Sequence, residues 1–187
     1  MKNWKRLSLK TVLDHSKFFK LEFHEVVSPS GKIISDWPWI ILPDYANIIA
    51  VTKAGKYLCF RQDKYSYNGT SLAPVGGYID PGEDPLTAAK RELEEETGYR
   101  SENWIELGKF VCDGNRGCGN AYFFLALDAE KTDSDLRSDD LELQELIELD
   151  KDEIKSALLN NEFKVLGWAT AVSIALHYSG NNLPDTA

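Results

Sequence analysis

The chain has 187 residues, of which 43% are hydrophobic and 27% charged, and its formal net charge is −9 at pH 7. That composition describes one ordinary globular domain and excludes a disordered tail or a membrane-embedded chain; the acidic balance argues against broad capture of nucleic acid, which needs a basic face. Cys59, Cys112 and Cys118 show no CxxC spacing, and His15, His24 and His177 are scattered, so reduced thiols in a cytoplasmic protein are expected rather than a disulfide framework or a zinc site.

The N-terminal MKNWKRLSLKTVLDHSKFFK is basic but lacks the continuous apolar core of a secretory signal. KLEFHEVV (20–27) and KIISDWPWIIL (32–42) then flank the turn-rich Ser28-Pro29-Ser30-Gly31, the pattern of a β-hairpin. NIIAVT and KYLCFRQ, separated by Ala54-Gly55, read as a second hairpin, and SYNGTSLAPVGG as a loop. Leu86, Ala89 and Leu93 recur at helical spacing after Asp84-Pro85, a good cap followed by proline at the first helical position, and Gly98 is placed to end that helix.

WIELGKFVC and AYFFLAL read as strands joined by the loop DGNRGCGN, followed by an acidic loop over residues 128–142. LQELIEL alternates as a strand, Asp150 and Glu153 make a capping box for a helix through Leu159, and a last apolar stripe over 164–178 is stopped by Gly180. Strands outnumber helices and the helices are segregated, so the class is α+β with a mixed sheet. The expected organisation is an N-terminal antiparallel β subdomain, residues 1–44, and a main domain, residues 45–187.

The central helix carries Glu92, Glu94, Glu95 and Glu96, although like charges three and four residues apart cost roughly 0.2–0.5 kcal/mol per pair. At about 100° per residue Glu92, Glu95 and Glu96 share one face beside the apolar stripe, while Glu94 points elsewhere, toward solvent. Such carboxylates, together with a carbonyl from the preceding glycine loop, form a hard-oxygen donor set suited to Mg²⁺ or Mn²⁺.

Gly77, five residues, Glu83, seven residues, then Arg91-Glu92-Leu93-Glu94-Glu95-Glu96-Thr97-Gly98 resembles the complete Nudix box, G-x5-E-x7-R-E-U-x-E-E-x-G-U, with Tyr99 in place of the final aliphatic residue. The surroundings resemble the ADP-ribose and nucleoside diphosphate sugar pyrophosphatase branch. There an N-terminal β subdomain precedes the box, and Arg61-Gln62-Asp63-Lys64 stands where the branch has R-Q-Y-R. SLAPVGG lacks the acidic residue often found before the box glycines, and DGNRGCGN replaces a proline-bearing loop, so the chemistry is more secure than the substrate.

The resemblance implies a Nudix-type α/β/α sandwich and metal-dependent hydrolysis of a nucleoside diphosphate sugar to a nucleoside monophosphate and a sugar phosphate. It implies Mg²⁺, or Mn²⁺, on the carboxylates of Glu92, Glu95 and Glu96 and the carbonyl of Gly77, with Glu95 also counted as catalytic. Glu83 and Arg91 would brace loop and helix. Glu142 and Glu145 are the candidate general bases, with Asp139 and Asp140 as alternatives. Arg61, Lys64 and Arg116 are candidate substrate contacts; Trp37 and Trp39 are candidate stacking residues, although a core or interface role fits them equally. A homodimer built through the N-terminal β unit is implied, with neither nucleic acid nor membrane as partner. Removal of pyrophosphate from nucleoside triphosphates and a non-catalytic nucleotide sensor are the competing readings.

Overall fold

Short apolar alternations punctuated by glycine turns become strands in the computed structural model, which describes residues 3–15, 17–132 and 144–182. The elements in chain order are β1 (Lys5–His15), β2 (Phe19–Val27), β3 (Ile33–Ile41), β4 (Tyr45–Thr52), β5 (Tyr57–Gln62), β6 (Ser71–Ala73), β7 (Val75–Tyr78) and α1 (Pro85–Thr97). They continue with β8 (Tyr99–Arg100), β9 (Asn103–Asp113), β10 (Gly117–Lys131), β11 (Gln144–Leu149), α2 (Lys151–Leu159) and α3 (Leu166–Asn182). The fold is α+β, as the segregation of helices suggests.

The chain divides into two units, one of Met1–Asp44 with Phe110–Ala121 and one of Tyr45–Lys109 with Tyr122–Ala187. In the first, β2 pairs antiparallel with both β1 and β3, from Lys5 opposite Val27 to His15 opposite Phe19 and from Lys20 opposite Ile41 to Val27 opposite Ile33. The β2–β3 turn closes because the Ser28 hydroxyl accepts the Lys32 N–H at 3.1 Å. β1 is absent from the sequence reading. All of it is exposed, and lysines and an arginine interrupt its leucines, so pairing with β2 rather than burial holds it. At Gly117, parallel to Ile40, a Cβ would stand 2.7 Å from the Trp39 ring.

In the second unit the strand order is β10-β4-β5-β11, with β7 on β4, β6 on β5 and β8 on β10. β4 is buried almost throughout and supplies Ala46, Ile48 and Ala50 to a core completed by Leu58, Phe60, Val75, Ala89, Leu93, Phe124 and Ala126. Burying each of the larger aliphatic and aromatic chains contributes roughly 1.5–3 kcal/mol. SLAPVGG is not the loop expected: it forms β6 and β7, broken at Pro74, which cannot donate to a ladder.

Likewise the loop at 113–120 shrinks, with β9 ending at Asp113 and β10 starting at Gly117. The Asp113 carboxylate accepts from the Asn115 and Arg116 amides at 2.7 and 2.8 Å and tightens the turn. The capping box at α2 forms, the Asp150 carboxylate accepting from Glu153 N–H at 2.9 Å and the Glu153 carboxylate from Asp150 N–H at 2.8 Å. Gly180 does not stop α3, which runs to Asn182; one glycine costs about 1 kcal/mol in a helix without breaking it. Among the described residues no helix is long and apolar enough to cross a membrane.

Candidate active site

α1 starts where the Asp84 carboxylate accepts the Thr87 N–H at 3.0 Å with Pro85 in the first turn, and ends where Gly98 adopts a left-handed φ of 69° and donates to the Glu94 carbonyl at 2.9 Å. Its inward stripe, Ala88, Ala89 and Leu93, is buried, which fixes the rotation of the helix and hence the face on which the carboxylates stand. Glu94 lies off that face and is ion-paired with Arg100 rather than simply solvated.

β7 pairs with β4, Gly76 opposite Asn47 and Gly77 opposite Ala46, and α1 packs on both strands. Both glycines are sterically required. A Cβ on Gly76 would stand 2.3 Å from the Ala46 carbonyl oxygen, and one on Gly77 would stand 2.4 Å from the Glu92 carboxylate. The missing Cβ of Gly77 therefore leaves the room that the Glu92 carboxylate occupies.

Arg91 organises the rest. Its Nε and Nη2 donate to the two carboxylate oxygens of Glu83, each at 3.0 Å, and Nη2 also to the Tyr78 carbonyl at 3.2 Å. Nη1 donates to Glu92 at 2.7 Å and to Glu95 at 3.4 Å. The bidentate fork ties the loop before α1 to the helix. It also holds the Glu83 carboxyl below its ordinary value and raises the Arg91 guanidinium. Glu92 is pushed upward by burial, only partly offset by Arg91. Glu96 accepts from the Gly76 N–H at 3.4 Å.

Glu83 gives a stability prediction. Its depressed folded value means that the Arg91 contact contributes fully above the unfolded value near 4.3 and is lost as pH falls through the lower folded value. The melting temperature of the wild type therefore falls on acidification below about pH 4.3, and Glu83→Gln, less stable at neutrality by roughly 1–3 kcal/mol, shows a flatter decline in that window. Thermal melts of both proteins across the acid range check this.

Glu92, Glu95, Glu96, Gly77, Arg91 and Lys64 line one cavity of about 710 Å³, joined by Tyr45, Asn47, Tyr78, Gln144 and Trp168, a volume in the usual range of small-molecule sites. Arg61 and Glu145 line a different hollow, over Gln62, Asp63, Thr70 and Gln144. Trp37 and Trp39 line a third cavity of about 440 Å³ with Trp4, Lys5, Arg6 and His24. In it Trp37 donates to the Asn115 carbonyl at 2.6 Å, and His24, hydrogen-bonded to Glu22 at 2.8 Å, stacks on Trp39. Arg116 is exposed and lies 3.8 Å from Asp113. Glu142, Asp139 and Asp140 lie outside the described residues.

Among the described residues no three His, Cys, Asp or Glu side chains converge on one point as ligands; Glu92 and Glu95 instead face Arg91. The donors nonetheless suit a hard cation, since they are all oxygens, and the missing Cβ of Gly77 lets backbone and carboxylate approach each other. None of the three cysteines forms a disulfide; Cys59 is buried, its thiol pushed up to about 12 by burial, and is chemically quiet.

Tyr45, Asn47, Gln144 and Trp168 were not legible as cavity residues. Trp168 reads as part of the apolar stripe of α3 and indeed packs on the core, yet it also forms cavity wall. Asn47 carried the one usable signal, a polar side chain at the head of a buried β run.

A model of the NUDIX domain matches residues 42–168. The chain is 30% identical over 134 residues to the methanol dehydrogenase activator of Bacillus methanolicus, covering 72% of each. It is 28% identical over 133 residues to the ADP-ribose pyrophosphatase of Bacillus subtilis strain 168, covering 71% of each. A solved structure described as an ADP compounds hydrolase shares the fold with a TM-score of 0.79 at 18% identity, over 98% of this chain and 97% of the other.

Proposed function

Because the chain belongs to the NUDIX family and is a hydrolase, we propose that it splits the diphosphate linkage of a nucleoside diphosphate sugar such as ADP-ribose, ADP-glucose or GDP-mannose into a nucleoside monophosphate and a sugar phosphate. The observation that carries this reading is that three α1 glutamates, Gly77 and Lys64 line one cavity. The names borne by the Bacillus subtilis relative and the structural neighbour support the substrate class.

Mg²⁺, with Mn²⁺ as substitute, is assigned to the carboxylates of Glu92, Glu95 and Glu96 and the Gly77 carbonyl. When bound, it supplies Lewis acidity and offsets diphosphate charge. The protein's own part is positional. Arg91, braced by Glu83, sets the carboxylate rotamers; Lys64 brings positive charge to an acidic cavity; Gly76 N–H orients Glu96. The general base is assigned to the acidic segment that ends at β11, with Glu142 and Glu145 as the residues to compare. Arg61 and Arg116 are assigned to substrate contacts and Trp37 and Trp39 to base stacking.

Residues 1–44 are assigned to homodimerisation. Trp4, Leu7, Leu9, Val12, Leu13, Phe18 and Ile33 are exposed within them, apolar side chains that an interface with a second copy would cover.

A product-resolved assay tests the activity. With Mg²⁺, ADP-ribose and its relatives yield monophosphate and sugar phosphate, and chelation of the metal abolishes both. Preferential release of pyrophosphate from nucleoside triphosphates would replace this reading, and no product from any nucleotide would favour a sensor.

A further inference from the structure

We propose that Tyr78, set beside Tyr45 and Trp168, is the platform on which the sugar of the substrate lies, and that its ring selects a diphosphate carrying a sugar over one that carries none. This deepens the hydrolase reading and rests on it for the diphosphate. The nucleoside end keeps the contacts assigned above, so the platform concerns the other ester of the same diphosphate.

Strand geometry separates two walls of the cavity. Successive residues of a strand point to opposite faces. Gly77 faces α1, since a Cβ on it would stand 2.4 Å from the Glu92 carboxylate, so the Tyr78 side chain leaves β7 on the other face. Tyr45 lies directly opposite Tyr78 in the β4–β7 ladder, which puts both side chains on that face with Cβ atoms about 4.5–5.5 Å apart. The start of α3 meets the same face: a Cβ on Gly167 would stand 2.7 Å from Tyr45 Oη, and Trp168 is the next residue. All three aromatic residues line the cavity that Glu92, Glu95 and Glu96 line, with Gly76 and Gly77 lining it too. Two residues without side chains thus separate the carboxylates from the rings.

The three rings are committed to the fold to different degrees. Trp168 packs against the core and meets Tyr67 edge-on at 6.5 Å between centroids. Tyr45 is half-buried and abuts α3. Tyr78 is 66% exposed; its backbone is pinned, the carbonyl accepting from Arg91 Nη2 at 3.2 Å, while its ring is left to solvent at the cavity. Packing therefore accounts for an aromatic residue at 45 and 168 but not at 78, where the exposed ring stands beside the glutamate site.

The chemistry of the ligand follows from this wall. A sugar ring has one face of C–H groups, which suits the apolar body of an aromatic ring, and a rim of hydroxyls, which suits groups that both donate and accept. Tyr78 offers a ring with a hydroxyl at its tip, and the Gln144 amide lines the same cavity. A diphosphate on the glutamate face carries one organic group at each end, and the group that extends over the glycine pair meets Tyr78. The cavity, at about 710 Å³, has the size of a site for a whole small molecule rather than for a diphosphate alone.

Calorimetric titration of the full-length protein with Mg²⁺ tests the platform, using two ligands that resist hydrolysis: α,β-methylene ADP-ribose, and the methyl ester of α,β-methylene ADP, which has the same charge and no sugar. The wild type binds the first about tenfold more tightly than the second. Tyr78→Ala keeps its melting temperature, because the lost ring is exposed, keeps its affinity for the methyl ester, and binds the two ligands within about twofold of each other. Tyr78→Phe, which retains the ring, retains the preference. Absence of binding or equal affinity for both ligands in the wild type, a preference that survives in Tyr78→Ala, or an equal loss for both ligands in that variant overturns the platform. Hydrolysis of ADP-ribose is scored separately: its absence, with the preference and its dependence on Tyr78 intact, overturns the activity and leaves the platform standing.

Discussion

Glu96→Gln lowers turnover on the order of 10²-fold at saturating Mg²⁺, while its melting temperature stays within about 4 °C of the wild type. The substitution separates charge from shape. Glutamine keeps the length of the side chain and an oxygen that accepts from Gly76 N–H, the contact Glu96 makes at 3.4 Å, so the packing of β7 on α1 persists. What is lost is one negative charge facing the cavity. Glu92→Gln would be a poorer probe, since Glu92 also accepts from Arg91 at 2.7 Å and its loss would disturb the Glu83 fork. Steady-state kinetics over a metal titration, with a thermal melt of the same preparation, check the expectation; wild-type turnover in Glu96→Gln removes this residue from the metal set.

Gly77→Ala produces a loss of similar size for a steric reason. Its Cβ would stand 2.4 Å from the Glu92 carboxylate, a separation no folded protein tolerates. Glu92 can swing away only by giving up its 2.7 Å bond from Arg91, which is itself held by Glu83 through two bonds of 3.0 Å. Either the carboxylate or the strand must move, and a displacement of about 1 Å at a reacting centre costs on the order of 10²-fold in rate. Overpacking also destabilises by roughly 1–3 kcal/mol. Gly82→Ala is the informative comparison: Gly82 has a φ of +85° but nothing within 4 Å of its Cβ position, so it loses stability through backbone strain of roughly 1–2 kcal/mol and retains far more activity. Equal activity losses in the two variants would show that the contact with Glu92 is not what matters.

The legible parts of this molecule are those set by neighbours in sequence. The limits of α1 follow from Asp84, Pro85 and Gly98, the start of α2 from Asp150 and Glu153, and the β2–β3 turn from Ser28 and Gly31, because caps and turns are local chemistry. The common face of Glu92, Glu95 and Glu96 follows from helical periodicity alone. β1, β6 and β7 were missed because their partners lie elsewhere in the chain: exposed β1 depends on its ladder with β2, and β7 is a strand only because Asn47 and Ala46 face its two glycines. The engagement of the glutamates by Arg91 was half legible. The pairing with Glu83 belongs to the motif, whereas the contacts of Arg91 with Glu92 and Glu95 depend on side-chain rotamers no spacing specifies.

The cavity walls were the least legible part. Lys64, Asn47, Gln144 and Trp168 come from four separate segments, and only the packing of β4, β11 and the start of α3 around the glutamate helix brings them to one cavity. Arg61, three residues from Lys64, lines a different hollow. A charge pattern in sequence does not distinguish the two.

The central claim is that the glutamate face of α1 binds a divalent cation. Titration with Mn²⁺, followed by the EPR signal of the free ion, tests it directly in the wild type and in a Glu92→Gln, Glu95→Gln, Glu96→Gln triple variant whose fold is verified by circular dichroism. The wild type depletes the free-ion signal and the triple variant leaves it intact; equal depletion by both proteins would contradict the account.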